Sequence, residues 1–367
     1  SRMKIQITQS NLSKALGLLS RVASARTPLP ILSNILLKAS KGSLELAATN
    51  LEVALTHKTS GKIDEEGTVA VPARLLHDFI AQLPKDLTVD LVFEENRLFI
   101  KAGSYSSHVQ GSNAEDFPAL PTISKGETIT LDGQALKTAL ERTMLAASGD
   151  ETRPVLGGVY FHTMDGALFV AATDGYRLAE ARLSDLEGSI SAIVPAAALQ
   201  DALKMIQDNA GEEVRVQFGE GQFGLTVGDS QLVSRLIDGQ YPEYRQLIPE
   251  ASDINITVSR SELLTAAKLA GLFARESGGS ITLKVSETDS EVVVKSVASQ
   301  VGDNSSAIKA TVSGSGEVVL NVRYLTDALN AFESDQLNFR FSGAISPCVL
   351  TSESQPGYQH IVMPLKS

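Results

Sequence analysis

The chain has 367 residues, of which 43% are hydrophobic, enough to build a sizeable core and, by length, two or three domains. Its net charge of −11 excludes a simple basic nucleic-acid binder, and its one cysteine, Cys348, excludes an internal disulfide and suits a reducing compartment. No stretch reads as a secretory leader and no apolar run reaches membrane-spanning length, so a soluble, cytoplasmic protein without a membrane partner is expected.

The first periodic run is Ser10 to Val22, where Leu12, Ala15, Leu16 and Leu19 recur at i, i+3, i+4 and i+7, the stripe of a half-buried helix. Strand-like residues follow over Ile31–Ala54, broken at Lys41-Gly42. A second helix spans Val71–Leu83, with Leu76, Phe79, Ile80 and Leu83 on one side, and leads into the alternation Leu87, Val89, Leu91, Phe93. The series then starts again. Leu136, Ala139, Leu140 and Thr143 mark a helix, Val155–Leu183 reads as strands broken at Asp165-Gly166, and Val194–Gln207 is a helix carrying Leu199, Ala202, Leu203 and Ile206. Pro195 suits the first position of that helix, where no N–H is required. Val214, Val216 and Phe218 alternate after it. The third round has Leu263, Ala266, Ala267 and Ala270, then strands over Ile281–Val301 broken at Thr288-Asp289. Next come a helix over Asn321–Phe332 with Leu325, Ala328, Leu329 and Phe332, and last the alternation Leu337, Phe339, Phe341.

The first helix of each round recurs after 124 and 127 residues and the second after 123 and 126. An aspartate stands two residues after the first apolar residue of each second helix: Asp78, Asp201, Asp327. The two helices within a round are 62 to 64 residues apart, which makes the unit one helix plus several antiparallel strands, six times over. Helices with one apolar stripe must lie on sheets. The expected fold class is therefore α+β: three tandem similar domains, residues 3–124, 127–250 and 251–367, each with two helices packed on antiparallel sheets.

A tandem array leaves a free sheet edge at each end, and closing two chains into a ring of six domains removes both. Over the six helices, nine Lys and Arg stand against five Asp and Glu, so the helices are basic relative to an acidic remainder. A helix-lined hole of that sign suits a polyanion held without base reading, while the acidic exterior repels it. Ordinary solvated helix faces account for the same charges.

No catalytic constellation is present. His57, His77, His108, His162 and His360 show no metal-ligand spacing, and one cysteine makes no metal site. Gly219-Glu220-Gly221-Gln222-Phe223-Gly224 matches a dinucleotide fingerprint but lies between two alternating runs, so it reads as a hairpin turn. His77-Asp78 reads as a solvated pair and Cys348 as core. No enzyme, cofactor or metal is expected; Asp174 or His162 would be the place for an unrecognised active site.

The threefold repeat is joined by Ala172-Thr173-Asp174-Gly175-Tyr176-Arg177-Leu178-Ala179, by Thr27-Pro28-Leu29-Pro30-Ile31-Leu32-Ser33-Asn34, by Asp238-Gly239-Gln240-Tyr241-Pro242-Glu243-Tyr244-Arg245 and by the tail Ile361-Val362-Met363-Pro364-Leu365. Together, from Met3 to Ser367, these resemble the bacterial sliding clamp, the beta subunit of DNA polymerase III. The resemblance implies a head-to-tail homodimeric ring around double-stranded DNA, closed by an ATP-driven clamp loader. Such a ring tethers the replicative DNA polymerase, other polymerases and repair proteins. It implies a pocket for short partner peptides ending in apolar residues, formed by Leu156, Thr173, Gly175, Tyr176, Arg177, Leu178, Pro242, Leu247, Val362, Met363, Pro364 and Leu365. Arg177 would fix the peptide's polar groups. The first-domain cousin Ala47-Ala48-Thr49-Asn50-Leu51-Glu52-Val53-Ala54 suggests instead a plain strand and turn. DNA contacts carry over to Arg26 and Arg74, and with the helix charges the DNA-facing set is Lys14, Arg26, Arg74, Lys204 and Arg323. Ala196, Ala197, Ala198 and Gln246 stand where relatives carry basic residues, which implies weaker contact in the second domain. Ser107 and Val109 of one chain and Leu272 and Phe273 of the other are the implied dimer interface.

Overall fold

The computed structural model describes residues 2–23, 29–123, 125–298 and 300–366. Among these are six α-helices: α1 (Gln9–Leu19), α2 (Ala73–Gln82), α3 (Gly133–Met144), α4 (Ala196–Asp208), α5 (Arg260–Phe273) and α6 (Val322–Asn330). Their starts are chemically marked. Thr8 accepts the Asn11 N–H at the head of α1, Ser259 accepts the Glu262 N–H at the head of α5, and Asn321 accepts from Arg323 and Tyr324 at the head of α6. The predicted stripes of α1, α3, α5 and α6 are buried throughout. In α2 and α4 the stripe is shifted: Phe79 and Leu203 are only half-buried, while Ala198 and Met205 enter the core. Each buried Leu or Ile contributes about 1.5–3 kcal/mol of transfer free energy, which is what fixes these helices to their sheets.

Pro195 does not open α4. It ends the strand Ser191–Pro195, paired with Gly158, as Pro72 ends Gly67–Pro72, paired with Asn34. Both strands are sheet edges, where a residue without an N–H breaks no ladder.

The chain forms two compact units, residues 1–137 with 197–236, and 138–196 with 237–367. The first unit holds two antiparallel sheets. One has five strands in the order Lys62–Glu65, Met3–Thr8, Thr88–Glu94, Arg97–Ala102, Tyr105–Gln110. The other has eight and is joined at its middle by Val53–Ser60 pairing with Ser230–Arg235, in the register Val53↔Ser234 to His57↔Ser230. The second unit holds a twelve-stranded sheet in which Arg177–Asp185 pairs with Tyr358–Val362, in the register Arg177↔Val362 to Ala181↔Tyr358. The predicted breaks are turns: Gly42 and Gly166 have φ of 76° and 73°, and Gly221, between Glu213–Gly219 and Gln222–Val227, has φ 70°, so the glycine motif there is a hairpin. Cys348 is buried in its strand, and burial pushes its thiol up to about 12.

Candidate peptide-binding pocket

The turn after the strand Ala167–Thr173 is built by its own side chains. Thr173 Oγ1 donates to the Arg177 carbonyl at 2.7 Å and accepts the Gly175 N–H at 3.1 Å. Asp174 Oδ1 accepts the N–H groups of Tyr176 and Arg177 at 2.9 and 3.0 Å. Gly175 lies at φ 91°, a left-handed conformation that glycine takes without strain, and a Cβ there would meet only the flexible end of the exposed Arg153 side chain, at 2.9 Å. The Tyr176 ring projects into solvent, 60% exposed, while its carbonyl accepts the Met363 N–H at 2.9 Å and ties the turn to the chain's tail. The tail is held a second time by Leu365 N–H donating to the Val319 carbonyl at 2.8 Å.

Behind the turn lies an apolar cluster of Leu156, Ala171, Leu178, Ile193, Tyr241, Tyr244, Val349 and Ile361, edged by Val155, Tyr160, Ile237 and Ile248. Of the twelve expected pocket residues the cluster contains two, Leu156 and Leu178. Val362 is fully buried, but strand alternation directs it to the opposite face from Ile361. Leu247 is 54% exposed, Pro242 is exposed, and Met363, Pro364 and Leu365 are half-buried. All twelve expected pocket residues belong to the second compact unit.

Arg177 departs from expectation. Its side chain is only 4% exposed and turned inward: Nε donates to Asp174 Oδ2 at 3.2 Å, Nη1 donates to Asp327 Oδ2 at 2.6 Å, and the guanidinium lies 4.7 Å over the Tyr324 ring. A cation so paired points away from solvent, whereas the neighbouring Arg153 is exposed and lies against Gly175.

The wall of the cluster is braced by a polar network that sequence reasoning did not find. The Tyr244 hydroxyl donates to buried Glu180 at 2.5 Å, so it accepts from His162 Nε2 at 2.6 Å, which makes His162 the neutral Nε2–H tautomer. Arg245 forks onto both Glu180 oxygens at 2.9 and 2.8 Å, and Gln359 donates to Oε1 at 3.0 Å. Burial disfavours the Glu180 charge, but the hydrogen bonds from Arg245, Tyr244 and Gln359 outweigh it and hold the carboxyl below its ordinary range. Burial holds His162 down, and Tyr160 stacks between it and Tyr241 at 4.5 and 4.8 Å. Tyr241 in turn accepts the Thr173 N–H at 2.9 Å, so the network reaches the turn. The run Asp238 to Arg245, ending in Tyr244-Arg245, is the only local signal for it in the sequence. These contacts occupy both Asp174 and His162 as structural groups.

Of the DNA-facing candidates, Lys14, Arg74 and Arg323 are exposed. Lys204 is half-buried, bonded to Asp208 at 3.0 Å, and shares a cleft with Lys14 and Lys85. Arg26 lies outside the described residues. Ala197 is exposed at the start of α4 and Ala198 is buried. Of the interface candidates, Ser107 and Val109 lie on Tyr105–Gln110, the edge of the five-stranded sheet, with Val109 buried within it. Leu272 is 58% exposed, whereas Phe273 is half-buried with its ring 3.6 Å from the Cβ position of Gly302.

Comparison with known proteins decides the family. Residues 3–121 match the N-terminal domain of the DNA polymerase III beta subunit, 130–243 its central domain, and 245–366 its C-terminal domain. The chain belongs to the DNA polymerase III beta subunit family. The Beta sliding clamp of Synechococcus elongatus is 32% identical over 99% of both chains, and that of Staphylococcus aureus is 30% identical over 95% of both. The structure is similar, at a TM-score of 0.95 and 28% identity over the whole of both chains, to a sliding clamp from Bartonella birtlesii bound to griselimycin. The family thus supplies the α+β architecture of three clamp domains, with six helices on antiparallel sheets.

Proposed function

We propose that this chain is a sliding clamp that closes head to tail with a second copy into a ring of six domains around double-stranded DNA. Residues 3–124, 127–250 and 251–367 are its three domains, and its helices face the hole. The observation that carries this reading is the match of all three family domains, in order, along one chain whose fold follows a known clamp end to end. Lys14, Arg26, Arg74, Lys204 and Arg323 neutralise phosphates without reading bases. Ser107 and Val109 on an edge strand meet Leu272 and Phe273 of the second copy. The ring is loaded by an ATP-driven clamp loader in the cytoplasm and itself carries out no reaction. Its role is to keep the replicative polymerase, other polymerases and repair proteins on their template through peptides seated in the pocket around Leu156, Thr173, Gly175, Tyr176, Leu178, Pro242, Leu247, Met363, Pro364 and Leu365, with Arg177 and Val362 buried behind it. The griselimycin-bound relative supports the existence of a ligand-accepting site in this family.

Retention on DNA tests encirclement. A loaded ring stays on nicked circular DNA and runs off the ends of the same DNA made linear. Equal loss from both would overturn the ring. Neutralising Lys14, Arg26, Arg74, Lys204 and Arg323 together is expected to lower retention and flatten its salt dependence, while leaving peptide binding intact; a scaffold that never touches DNA would lose neither.

A further inference from the structure

The three repeated aspartates meet three different settings. Asp78 is exposed and pairs with its neighbour His77 at 3.0 Å. Asp201 is half-buried; burial pushes it up to about 6 against the opposing charge of Arg21. Asp327, on α6, accepts the short bond from Arg177, 150 positions away in sequence.

The first domain contains a control for that bond. At Thr49–Val53, Thr49 Oγ1 donates to the Val53 carbonyl at 2.9 Å, Asn50 Oδ1 accepts the Glu52 and Val53 N–H groups at 3.0 and 2.8 Å, and Leu51 takes φ 78°. This is the hydrogen-bond scheme of Thr173–Arg177, made with a valine where the other has arginine. The turn therefore forms without a cation at its last position or a carboxylate to receive it.

What the Arg177–Asp327 bond adds is attachment to α6. The guanidinium is fixed at one end by Asp327, at its middle by the face of Tyr324 and at the other end by Asp174, whose second oxygen caps the turn. Tyr176, carried on that turn, lies against the Tyr324 ring at 6.3 Å and holds the tail at Met363. A charge-assisted bond onto a rigid helix thus sets where the turn and the tail stand relative to the apolar cluster.

We propose that Asp327 is a positioning residue of the peptide pocket: through Arg177 it anchors the turn, and with it the tail bonded to Tyr176, to α6, so that both stand in one place beside the apolar cluster where a peptide's apolar end would enter. The inference rests on the peptide-pocket reading above. Its physical content is preorganisation, since a mouth already ordered loses less freedom when a ligand enters.

The test uses the full chain and a fluorescein-labelled peptide ending in Leu-Phe. Asp327→Asn, which keeps the shape and removes the charge, is expected to bind it roughly ten-fold more weakly, the order of a lost charge-assisted hydrogen bond. Amide exchange over residues 361–366 should quicken to a similar extent, and Asp327→Glu should recover most of both. Met363→Ala serves as the pocket control. If Met363→Ala weakens binding while Asp327→Asn binds and exchanges like the native protein, the pocket stands and Asp327 has no part in it. A lowered melting temperature with unchanged affinity and unchanged tail exchange rules Asp327 out in the same way, as does a Glu variant no better than Asn. If the native chain ignores the peptide, or Met363→Ala binds as the native chain does, the pocket reading falls and this inference with it. Should Asp327→Asn fail to fold, Arg177→Lys, which keeps the charge but loses the two-way fork, is expected to show the same weakening and faster exchange; no change in either overturns the proposal.

Discussion

Glu180 is a carboxylate with 2% side-chain exposure that stays ionised because Arg245, Tyr244 and Gln359 all donate to it. Its folded pKa is depressed, so its contribution to stability is complete above the ordinary value of 4.5 and is lost as pH falls through the lower folded value. Glu180→Gln is expected to cost about 2–3 kcal/mol at pH 7 by denaturant unfolding, with the gap to the native protein closing below pH 4. His360 gives a separate slope. It is fully buried, and burial, helped by Arg177, holds it down at about 3. Its unfolded form takes up a proton below about 6.5 that the folded form refuses, so stability should fall by about 1.4 kcal/mol per pH unit between about 6 and 3. His360→Gln should remove that slope in unfolding curves taken across this range. Of these partnerships only the run Asp238 to Arg245 left a trace in the sequence. Tyr244 and Glu180 stand 64 positions apart and Arg177 and Asp327 150 apart. Spacing marks such residues as polar but not as partners, so nothing in the sequence qualified the ligand-facing role that the resemblance implied for Arg177.

At the scale of elements, the helices were legible and the sheets only in part. An amphipathic stripe is local: Leu12, Ala15, Leu16 and Leu19 state their shared face within eight residues, and all four are buried. Strand alternation likewise announced Val89, Leu91 and Phe93. Which strand lies beside which is non-local, and nothing in Val53–Ser60 or Arg177–Asp185 names Ser230–Arg235 or Tyr358–Val362 as neighbour. The repeated aspartate was legible as a pattern, yet its three outcomes differ because each helix packs against different groups. That difference is measurable in α4. Asp201 is pushed up to about 6 by burial, so its charge weighs against the folded state, and stability drops as pH rises from the ordinary 3.8 through 6. Asp201→Asn should gain about 1–2 kcal/mol at pH 7, allowing for partial solvent access, and nothing at pH 3.5. Equal gains at both values would mean that the carboxylate keeps its ordinary titration.

At the scale of the whole molecule, the proposed pocket and the proposed ring draw on separable parts. Every pocket residue, together with the Tyr244–Glu180 brace and the Arg177–Asp327 bond, lies in the second compact unit. The proposed ring also needs the edge strand Tyr105–Gln110 of the first unit and an apolar surface on a second copy. Leu269, Leu272, Val297 and Val301 are all exposed in the last third of the chain, an apolar set of the kind that a stable protein–protein contact covers. A charge in place of Leu272 should be intolerable in the proposed dimer and harmless in the single chain, because Leu272 already meets water there. Leu272→Glu is therefore expected to halve the mass at micromolar concentration, measured by sedimentation, and to abolish retention on nicked circular DNA. Its affinity for the Leu-Phe peptide should stay within about two-fold of native, because a wholly intra-unit pocket loses no contact when the ring opens. A monomer that has also lost the peptide would mean that ring closure orders the turn at Gly175 or the tail at Met363. The brace and the Asp327 bond would then be insufficient to hold the pocket by themselves.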